Sequence, residues 1–198
     1  EMGLQIVLKD QPEPPVQARG GTPTRMAAIV FGSDQGLCGQ LNALIAAHAL
    51  EEMDRLNVPK EGRTVLSVGE RVRDYIMEGG ITVAEGLPTP GSTAGITPAV
   101  QELIMILEEW HFKEQIEHIY LFYNHYISGA TYKPFTLHLL PVDHAWLANL
   151  KSRKWESRTI PMYTMPFDLL FLSLIREYLF VSLFRAFAES LASENASR

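Results

Sequence analysis

Several features that would point to particular functions are rare or absent in this sequence of 198 residues. It has one cysteine, Cys38, so an internal disulfide cannot form, and we expect a reducing compartment. Lys and Arg number 17 against 23 Asp and Glu, and the formal net charge of -6 disfavours nucleic acid as a partner. The most apolar stretch, 169–187, contains Arg176, Glu177 and Arg185, which predicts no direct membrane insertion.

Patterns of known catalytic and metal sites are also missing. The six histidines show neither H-x-x-x-H nor paired-cysteine spacing, so no metal site is predicted. Glu108 and Glu109 are neighbours on a predicted solvated helix face, unlike two carboxylates that face each other across a cleft. We therefore predict no catalytic residue, no metal and no cofactor.

The segment "FGSDQGLCGQLN", residues 31–42, is rich in glycine. Its last glycine is followed by Gln40 instead of the Lys of a Walker loop, and the segment lacks the first close glycine pair of a dinucleotide fingerprint. The favoured interpretation is a tight turn, in which Cys38 is a small apolar residue and Asp34 caps the following helix or binds loop amides. An α/β enzyme that binds a nucleotide at Gly32–Gly39 stays open as an alternative.

The apolar pattern alternates between strands and helices, and a hydrophobic content of 46% is enough for one sizeable core. Short apolar runs predict buried strands, and apolar residues three and four apart predict helices. The predicted strands are 26–31, 64–68 and 81–85, and the helices between and after them begin near Leu41, Glu70 and Thr97. This order is typical of a parallel sheet with crossover helices.

Two segments rich in aromatic and β-branched residues follow, 116–126 and 131–142, joined by the short link "ISGA". So short a link cannot form a parallel crossover and therefore predicts an antiparallel hairpin at the sheet edge, where Pro134 is tolerated. The polar stretch 143–159 is predicted to connect this hairpin to the last element. Its basic run is interpreted as a solvated loop, with a patch for an acidic partner as the less favoured alternative.

Residues 167–198 contain neither glycine nor proline, which predicts one long helix. Its first half is apolar nearly all round, so we expect burial on more than one side. In the second half, apolar and small residues at steps of three and four are typical of a coiled-coil seam. The seam residues are Val181, Phe184, Ala188, Leu191 and Asn195. We expect this helix to continue in the natural protein and its partner helix to lie outside the sequence.

Three stretches resemble the gamma subunit of F-type ATP synthases. "SDQGLCGQLN" is similar to the first family signature, and the tail "LFRAFAESLASENASR" is similar to the second, at the start of the long C-terminal helix. Between them, "YLFYNHYISGATYKPFTLHLLPV" resembles the hairpin of the family's sheet. The three stretches occur in the family's order, so the resemblance covers nearly the whole chain.

The resemblance implies an α/β fold. We expect a single Rossmann-like globular domain with a mostly parallel sheet and an edge hairpin, flanked by truncated N- and C-terminal coiled-coil helices. The implied divisions are the end of the N-terminal helix with a linker at 1–20, the foot domain at 21–165, and the start of the long C-terminal helix at 166–198.

The function implied by the resemblance is mechanical. Such a subunit is the central-stalk rotor that couples rotation of the ion-translocating c-ring to ATP synthesis or hydrolysis in the alpha/beta head, and it performs no catalysis itself. The expected partners are the alpha and beta subunits, the epsilon subunit and the c-ring. The expected location is the cytoplasmic face of the cell inner membrane, as a peripheral part of a proton- or sodium-transporting complex. A free-standing interaction module that uses the last helix is a second alternative.

The resemblance also assigns contact residues. Gln35 replaces a basic residue of the family signature, and Thr164 replaces an acidic one, so we expect a divergent or alternate bacterial or archaeal type. The implied contacts are Asp34, Gln35 and Cys38 with the beta subunit, Met162, Tyr163 and Thr164 with the c-ring and epsilon, and Ala188, Leu191 and Asn195 in the coiled-coil seam.

Overall fold

The computed structural model describes residues 2–9, 24–159 and 161–198. Five strands form one sheet: β1 Met26–Phe31, β2 Arg63–Val68, β3 Val83–Leu87, β4 His118–Ser128 and β5 Thr131–Leu140. The helices are α1 Met2–Lys9, α2 Leu41–Arg55, α3 Glu70–Glu78, α4 Ile96–Glu114, α5 His144–Ser152 and α6 Phe167–Ser197. Much of the predicted linker within 1–20 lies outside the described residues.

The strand order in the sheet is β3-β2-β1-β4-β5. Strands β1 to β4 pair in parallel, and β5 pairs antiparallel with β4 at the edge. Pro134 lies on this edge strand opposite Asn124. Proline has no amide hydrogen to donate, and an edge strand tolerates this because it is not in the middle of the sheet. The predicted mostly parallel sheet with an edge hairpin is confirmed.

Helices cover both faces of the sheet, which is why every residue of β1 is buried. Met26, Ala28 and Val30 contribute to the core beneath α2 and α3. The alternate residues of β1 point into the core beneath α4 and α6. These alternate residues are Ala27, Ile29 and Phe31.

The long C-terminal helix α6 is confirmed, but its first half is only partly buried. In its second half, Leu183 and Phe187 are buried against the sheet, and the Phe187 ring meets the Phe31 ring edge-on at 4.9 Å. In its first half, Leu169 and Leu172 are 56% and 58% exposed. The first half packs against α1 and α5, and Tyr178, Leu179 and Phe180 also pack against the core beneath α4 and α6. It is therefore packed on more than one side without being buried all round.

Helix α5 lies within the stretch that the polar composition predicts to be a connection. Asp143 caps it, because its Oδ1 accepts a hydrogen bond of 2.8 Å from the Ala145 amide. Leu147 and Leu150 are three residues apart and pack in the same cluster as Leu4 of α1. The apolar spacing was present but short, and the surrounding charged residues obscured it.

Two helix starts also differ from expectation. Helix α4 begins at Ile96, after a 3₁₀ turn at Thr93–Gly95, instead of being capped by Thr97. Helix α2 begins at Leu41 as predicted, but its N-cap residue is Gln40 and no side chain caps it. The capping role considered for Asp34 on α2 is therefore wrong. The division of the chain at 20 and 165 stays a prediction.

Candidate functional site

The glycine-rich loop lies at the carboxyl end of β1, where it meets the ends of β2 and β3. The Gly32 amide donates to the Val68 carbonyl at 2.8 Å. A Cβ at Gly32 would lie 2.4 Å from the Val72 Cβ, and one at Gly69, whose φ is +106°, would lie 2.7 Å from the Ser33 carbonyl oxygen. These glycines allow the backbones after β1 and β2 to approach closely.

The buried side chain of Asn42 forms hydrogen bonds with the start of the glycine-rich loop. Its Oδ1 accepts a hydrogen bond of 2.9 Å from the Ser33 amide, and its Nδ2 donates to Ser33 Oγ at 2.8 Å. Ser33 Oγ in turn donates to the Gln35 carbonyl at 2.9 Å. Sequence reasoning did not single out Asn42, although it lies within the quoted glycine-rich segment.

The Asp34 carboxylate joins three loops. Its Oδ1 accepts from the Glu70 amide at 2.9 Å, at the first residue of α3, and its Oδ2 accepts from the amide and hydroxyl of Thr89 at 2.7 and 2.8 Å. The interpretation that Asp34 binds loop amides is confirmed. A helix N-terminus attracts anions, but the one at α3 already has a carboxylate of the chain itself.

The tip of the loop carries an exposed apolar residue to which sequence reasoning assigned no individual role. Leu37 is 95% exposed and has a φ of +66°, an uncommon conformation for a residue with a branched side chain. Gln35 is exposed next to it, whereas Cys38 is buried with its Sγ near the carbonyls of Gln35 and Gly36. Of the three predicted beta contacts, Gln35 is therefore the one whose side chain lies open at the tip.

The C-terminal end of α6 lies next to the glycine-rich loop. Glu194 is buried and pairs with Arg198, and the Arg198 guanidinium lies close to the Cys38 side chain. Burial raises the pKa of Glu194, and the positive charge of Arg198 opposes that rise. The hydroxyl of Ser193, one residue earlier, donates a hydrogen bond to the main-chain carbonyl of Asn124 in β4. The motifs at the two ends of the resemblance are thus brought together in space.

Little space remains between α6 and the carboxyl edge of the sheet. The cavity there has a volume of ≈ 10 Å³, which is room for about one water molecule. Its lining includes Phe31, Thr89, Phe187 and Glu194. In open α/β sheets this edge is where nucleotides bind, and here α6 fills it. The nucleotide-binding alternative is not favoured.

A second polar cluster fixes α6 to β4. Glu189 of α6 contacts the ring of His125 through Oε2 and accepts from Arg185 Nε at 2.6 Å through Oε1. Burial, with a further contribution from the negative charge of Glu189, raises the pKa of Tyr123 to about 12. Sequence spacing gives no signal for this cluster, because His125 and Glu189 lie 64 residues apart.

The predicted contact segment Met162–Thr164 lies before the other end of α6. Met162 is 94% exposed, Thr164 is exposed, and Tyr163 packs partly against the cluster of α1, α5 and α6. With 31 residues, α6 extends roughly 46 Å at about 1.5 Å per residue. The two predicted contact regions are therefore at opposite ends of a long helix.

The predicted seam residues lie beside the buried stripe of α6. Ala188 and Leu191 are half-buried and pack against the core beneath α4 and α6, whereas Asn195 is exposed.

Within the described part of the chain, no group of three His, Cys, Asp or Glu residues could hold a metal ion. Across the described ranges, none of the helices is both long enough and apolar enough to span a membrane.

Comparison with known proteins places this arrangement in a family. A family model described as ATP synthase matches residues 4–198. The chain belongs to this family. It is 28% identical over 179 residues to the ATP synthase gamma chain of Pasteurella multocida, covering 88% of this chain and 59% of that one. It is equally similar to the gamma chain of Desulfitobacterium hafniense, with 28% identity and coverage of 88% and 58%.

The resemblance to gamma subunits is confirmed by these relatives, and the chain spans about 59% of the length of the Pasteurella protein. Solved structures support the fold. The central stalk and c-ring structure of the Tetrahymena thermophila mitochondrial ATP synthase matches with a TM-score of 0.61 at 19% identity, covering 98% of this chain and 82% of that one. The rotor of the Euglena gracilis enzyme matches with a TM-score of 0.57 at 16% identity, with coverage of 98% and 72%.

Proposed function

We propose that the chain is the central-stalk rotor subunit of an F-type ATP synthase and couples rotation of the c-ring to ATP synthesis or hydrolysis in the alpha/beta head. The observation that carries this proposal is the seating of α6 on the sheet. One uninterrupted helix joins the exposed methionine segment to the glycine loop, and its second half is buried against the core. The role requires geometry and stiffness, and we propose that the subunit itself is non-catalytic.

Torque transmission requires that the helix cannot turn against the domain that drives it. Phe187 and Leu183 fill the core beneath α6, and burial of such side chains stabilises by about 1.5 to 3 kcal/mol each. The bond of Ser193 to Asn124 and the cluster of Glu189 with His125 add directional contacts to β4. Rotation of α6 about its own axis would break all of these contacts together.

The glycine loop is the proposed contact for the beta subunit. Gln35 and the exposed Leu37 form its outer surface, whereas Asp34 and Cys38 are engaged within the protein and hold the loop in shape. Since Gln35 is uncharged, we propose a contact of hydrogen bonds and apolar packing at this position instead of a salt bridge.

The remaining partner contacts are proposed from the positions of the matching residues. Met162, Tyr163 and Thr164 are proposed to contact the c-ring and the epsilon subunit. Ala188, Leu191 and Asn195 are proposed to face the partner helix of the coiled coil. The complex would lie peripherally at the cytoplasmic face of the inner membrane, and the low identity to the gamma chains supports a divergent type.

The proposal is tested on the assembled complex. A cysteine introduced at the exposed Lys60, which lies outside the proposed contacts, in a background in which Cys38 is replaced by Ser, would carry a bead or dye while the head is fixed to a surface. We expect ATP to drive rotation in one direction, and we expect a crosslink between this chain and the head to stop it. Absence of the chain from purified ATP synthase particles, or a stationary label during ATP hydrolysis, would contradict the rotor function.

A further inference from the structure

A basic surface follows helix α5 and is not used by the proposed rotor contacts. Residues 151–158 contain four basic residues and one acidic residue, in a chain whose net charge is -6. Lys154 and Arg158 are exposed, and within the described residues neither forms an ion pair with a carboxylate. This surface therefore has the opposite sign of charge from the chain as a whole.

The basic segment is held in a defined shape. Trp155 Nε1 donates to the Thr159 carbonyl at 2.8 Å, which closes a tight turn, and Gln5 Nε2 donates to the Arg153 carbonyl at 2.7 Å. Lys9 Nζ lies 5.9 Å from the centre of the Trp155 ring, within the range of a cation–π contact. Helix α1 thereby adds a further positive charge to the same surface.

Exposed apolar side chains continue directly from the basic residues. Met162 and Met165 are both exposed large apolar residues, and Leu169 follows on the first turn of α6. Singly, an exposed apolar residue needs no explanation, but several that follow a basic cluster closely in sequence are typical of an interaction surface. Methionine is flexible and adapts to irregular apolar surroundings.

We propose that the basic surface of residues 151–159, together with Lys9 and Met165, contacts anionic phospholipids of the membrane, next to the c-ring contact proposed for Met162–Thr164. Clustered Lys and Arg attract anionic headgroups, and neighbouring apolar side chains enter the interface between headgroups and acyl chains. The cations belong to separate exposed side chains, which suits a fluid layer of headgroups better than a single fixed carboxylate. The place of this contact, beside the c-ring, rests on the proposed rotor function.

The test measures binding of the full-length chain to lipid vesicles by co-sedimentation. Vesicles of phosphatidylcholine with 30% phosphatidylglycerol are compared with vesicles of phosphatidylcholine alone, at roughly 50 and 300 mM salt, where screening differs strongly. We expect at least roughly tenfold tighter binding to the anionic vesicles, and a marked loss at the higher salt concentration.

Matched variants assign the binding to this surface. Lys154→Gln with Arg158→Gln is expected to weaken binding to anionic vesicles roughly 10- to 30-fold. Lys60→Gln with Lys133→Gln removes the same charge from exposed positions elsewhere and is expected to change binding less than about twofold. Met165→Ser is expected to weaken binding while leaving its salt dependence in place. Circular dichroism confirms that each variant is folded.

Several results would overturn the proposal. These are equal binding to neutral and anionic vesicles, no binding to either, or the same loss in the control pair as in the Lys154 and Arg158 pair. Unchanged vesicle binding in that variant, combined with its loss from ATP synthase particles, would assign the surface to an acidic protein partner. Because vesicle binding needs no head and no ATP, its outcome is separate from that of the rotation experiment.

Discussion

The Ser193 hydroxyl of α6 donates a hydrogen bond of 3.0 Å to the main-chain carbonyl of Asn124 in β4, and both residues are fully buried. Ser193→Ala would leave this carbonyl without that partner in the core. We expect a loss of about 1 to 2 kcal/mol in the free energy of unfolding, measured by urea denaturation. Ser173→Ala, on the exposed side of the same helix, is the control and should change stability by less than about 0.5 kcal/mol. Equal effects of the two substitutions would contradict the assigned role.

The edge-on pair of Phe187 and Phe31 predicts a larger effect. Phe187→Ala would open a cavity between α6 and the sheet and is expected to cost about 3 to 5 kcal/mol of unfolding free energy. Phe112→Ala is the matched control, because Phe112 is 79% exposed and should be nearly neutral. In the complex, a folded variant with a smaller side chain at position 187, such as Phe187→Leu, should reduce ATP synthesis more than ATP hydrolysis.

Asp34 is predicted to order three loops at once. In Asp34→Ala, the amides of Glu70 and Thr89 lose their acceptor, so their hydrogen exchange should become at least about tenfold faster. Asp74→Ala removes an exposed carboxylate from α3 without these bonds and should leave both amides unchanged. Unaltered exchange in the Asp34 variant would show that the loops are held by other contacts.

Leu37 is predicted to lower the free energy of unfolding while providing an exposed apolar contact surface. Its φ of +66° costs a branched residue of order 1 kcal/mol, so Leu37→Gly should raise the unfolding free energy by up to about that amount. The same variant should lower ATP synthesis by the complex, because the exposed apolar tip is lost. Gln115→Gly relieves a similar conformation, with φ of +55°, at the end of α4, and should stabilise without affecting synthesis.

A stacked pair of histidines predicts the pH dependence of stability. The rings of His118 and His138 are parallel, with centroids 5.6 Å apart, and the Tyr120 ring also stacks on His138, with centroids 4.4 Å apart. Burial lowers the pKa of both histidines, and the charge of His118 lowers that of His138 further. Asp143 and the Leu140 carbonyl act on His138 in the opposite direction, as Glu117 does on His118.

The sign of this dependence follows from the lowered pKa values. Between about pH 6.5 and the folded-state values, the unfolded chain binds more protons, so stability is complete above pH 6.5 and falls as the pH decreases through that window. Replacing both histidines by Phe should flatten the change in unfolding free energy between pH 7.5 and 5.5. His111→Gln, at an exposed position of α4, should retain it.

The regular part of the fold could be predicted from local sequence. Strand β1 and the hairpin of β4 and β5 follow from short apolar runs and a link too short for a crossover. Helix α5 was missed, because Leu147 and Leu150 give too short a repeat against their charged neighbours. The exposure of Leu169 depends on which elements pack beside α6, and its own composition does not contain that information.

The polar contacts of the candidate site depend on distant residues. Asp34 binds groups 36 and 55 residues further along the chain, and no spacing rule connects them. The resemblance identified the loop and the end of α6 as separate motifs, but their meeting through Arg198 and Cys38 required the folded chain. The exposure of Leu37 at the loop tip could not be predicted, because its backbone conformation cannot be derived from composition.

Helix α6 has no glycine or proline between Phe167 and Ser197, and these are the residues at which helices most readily kink. A displacement of the end of α6 near Met162 would therefore reach the glycine-rich loop with little bending of the helix between them. In a complex that stores elastic energy during turnover, α6 would deform little. Most of the deformation would then occur in the segments that contact it.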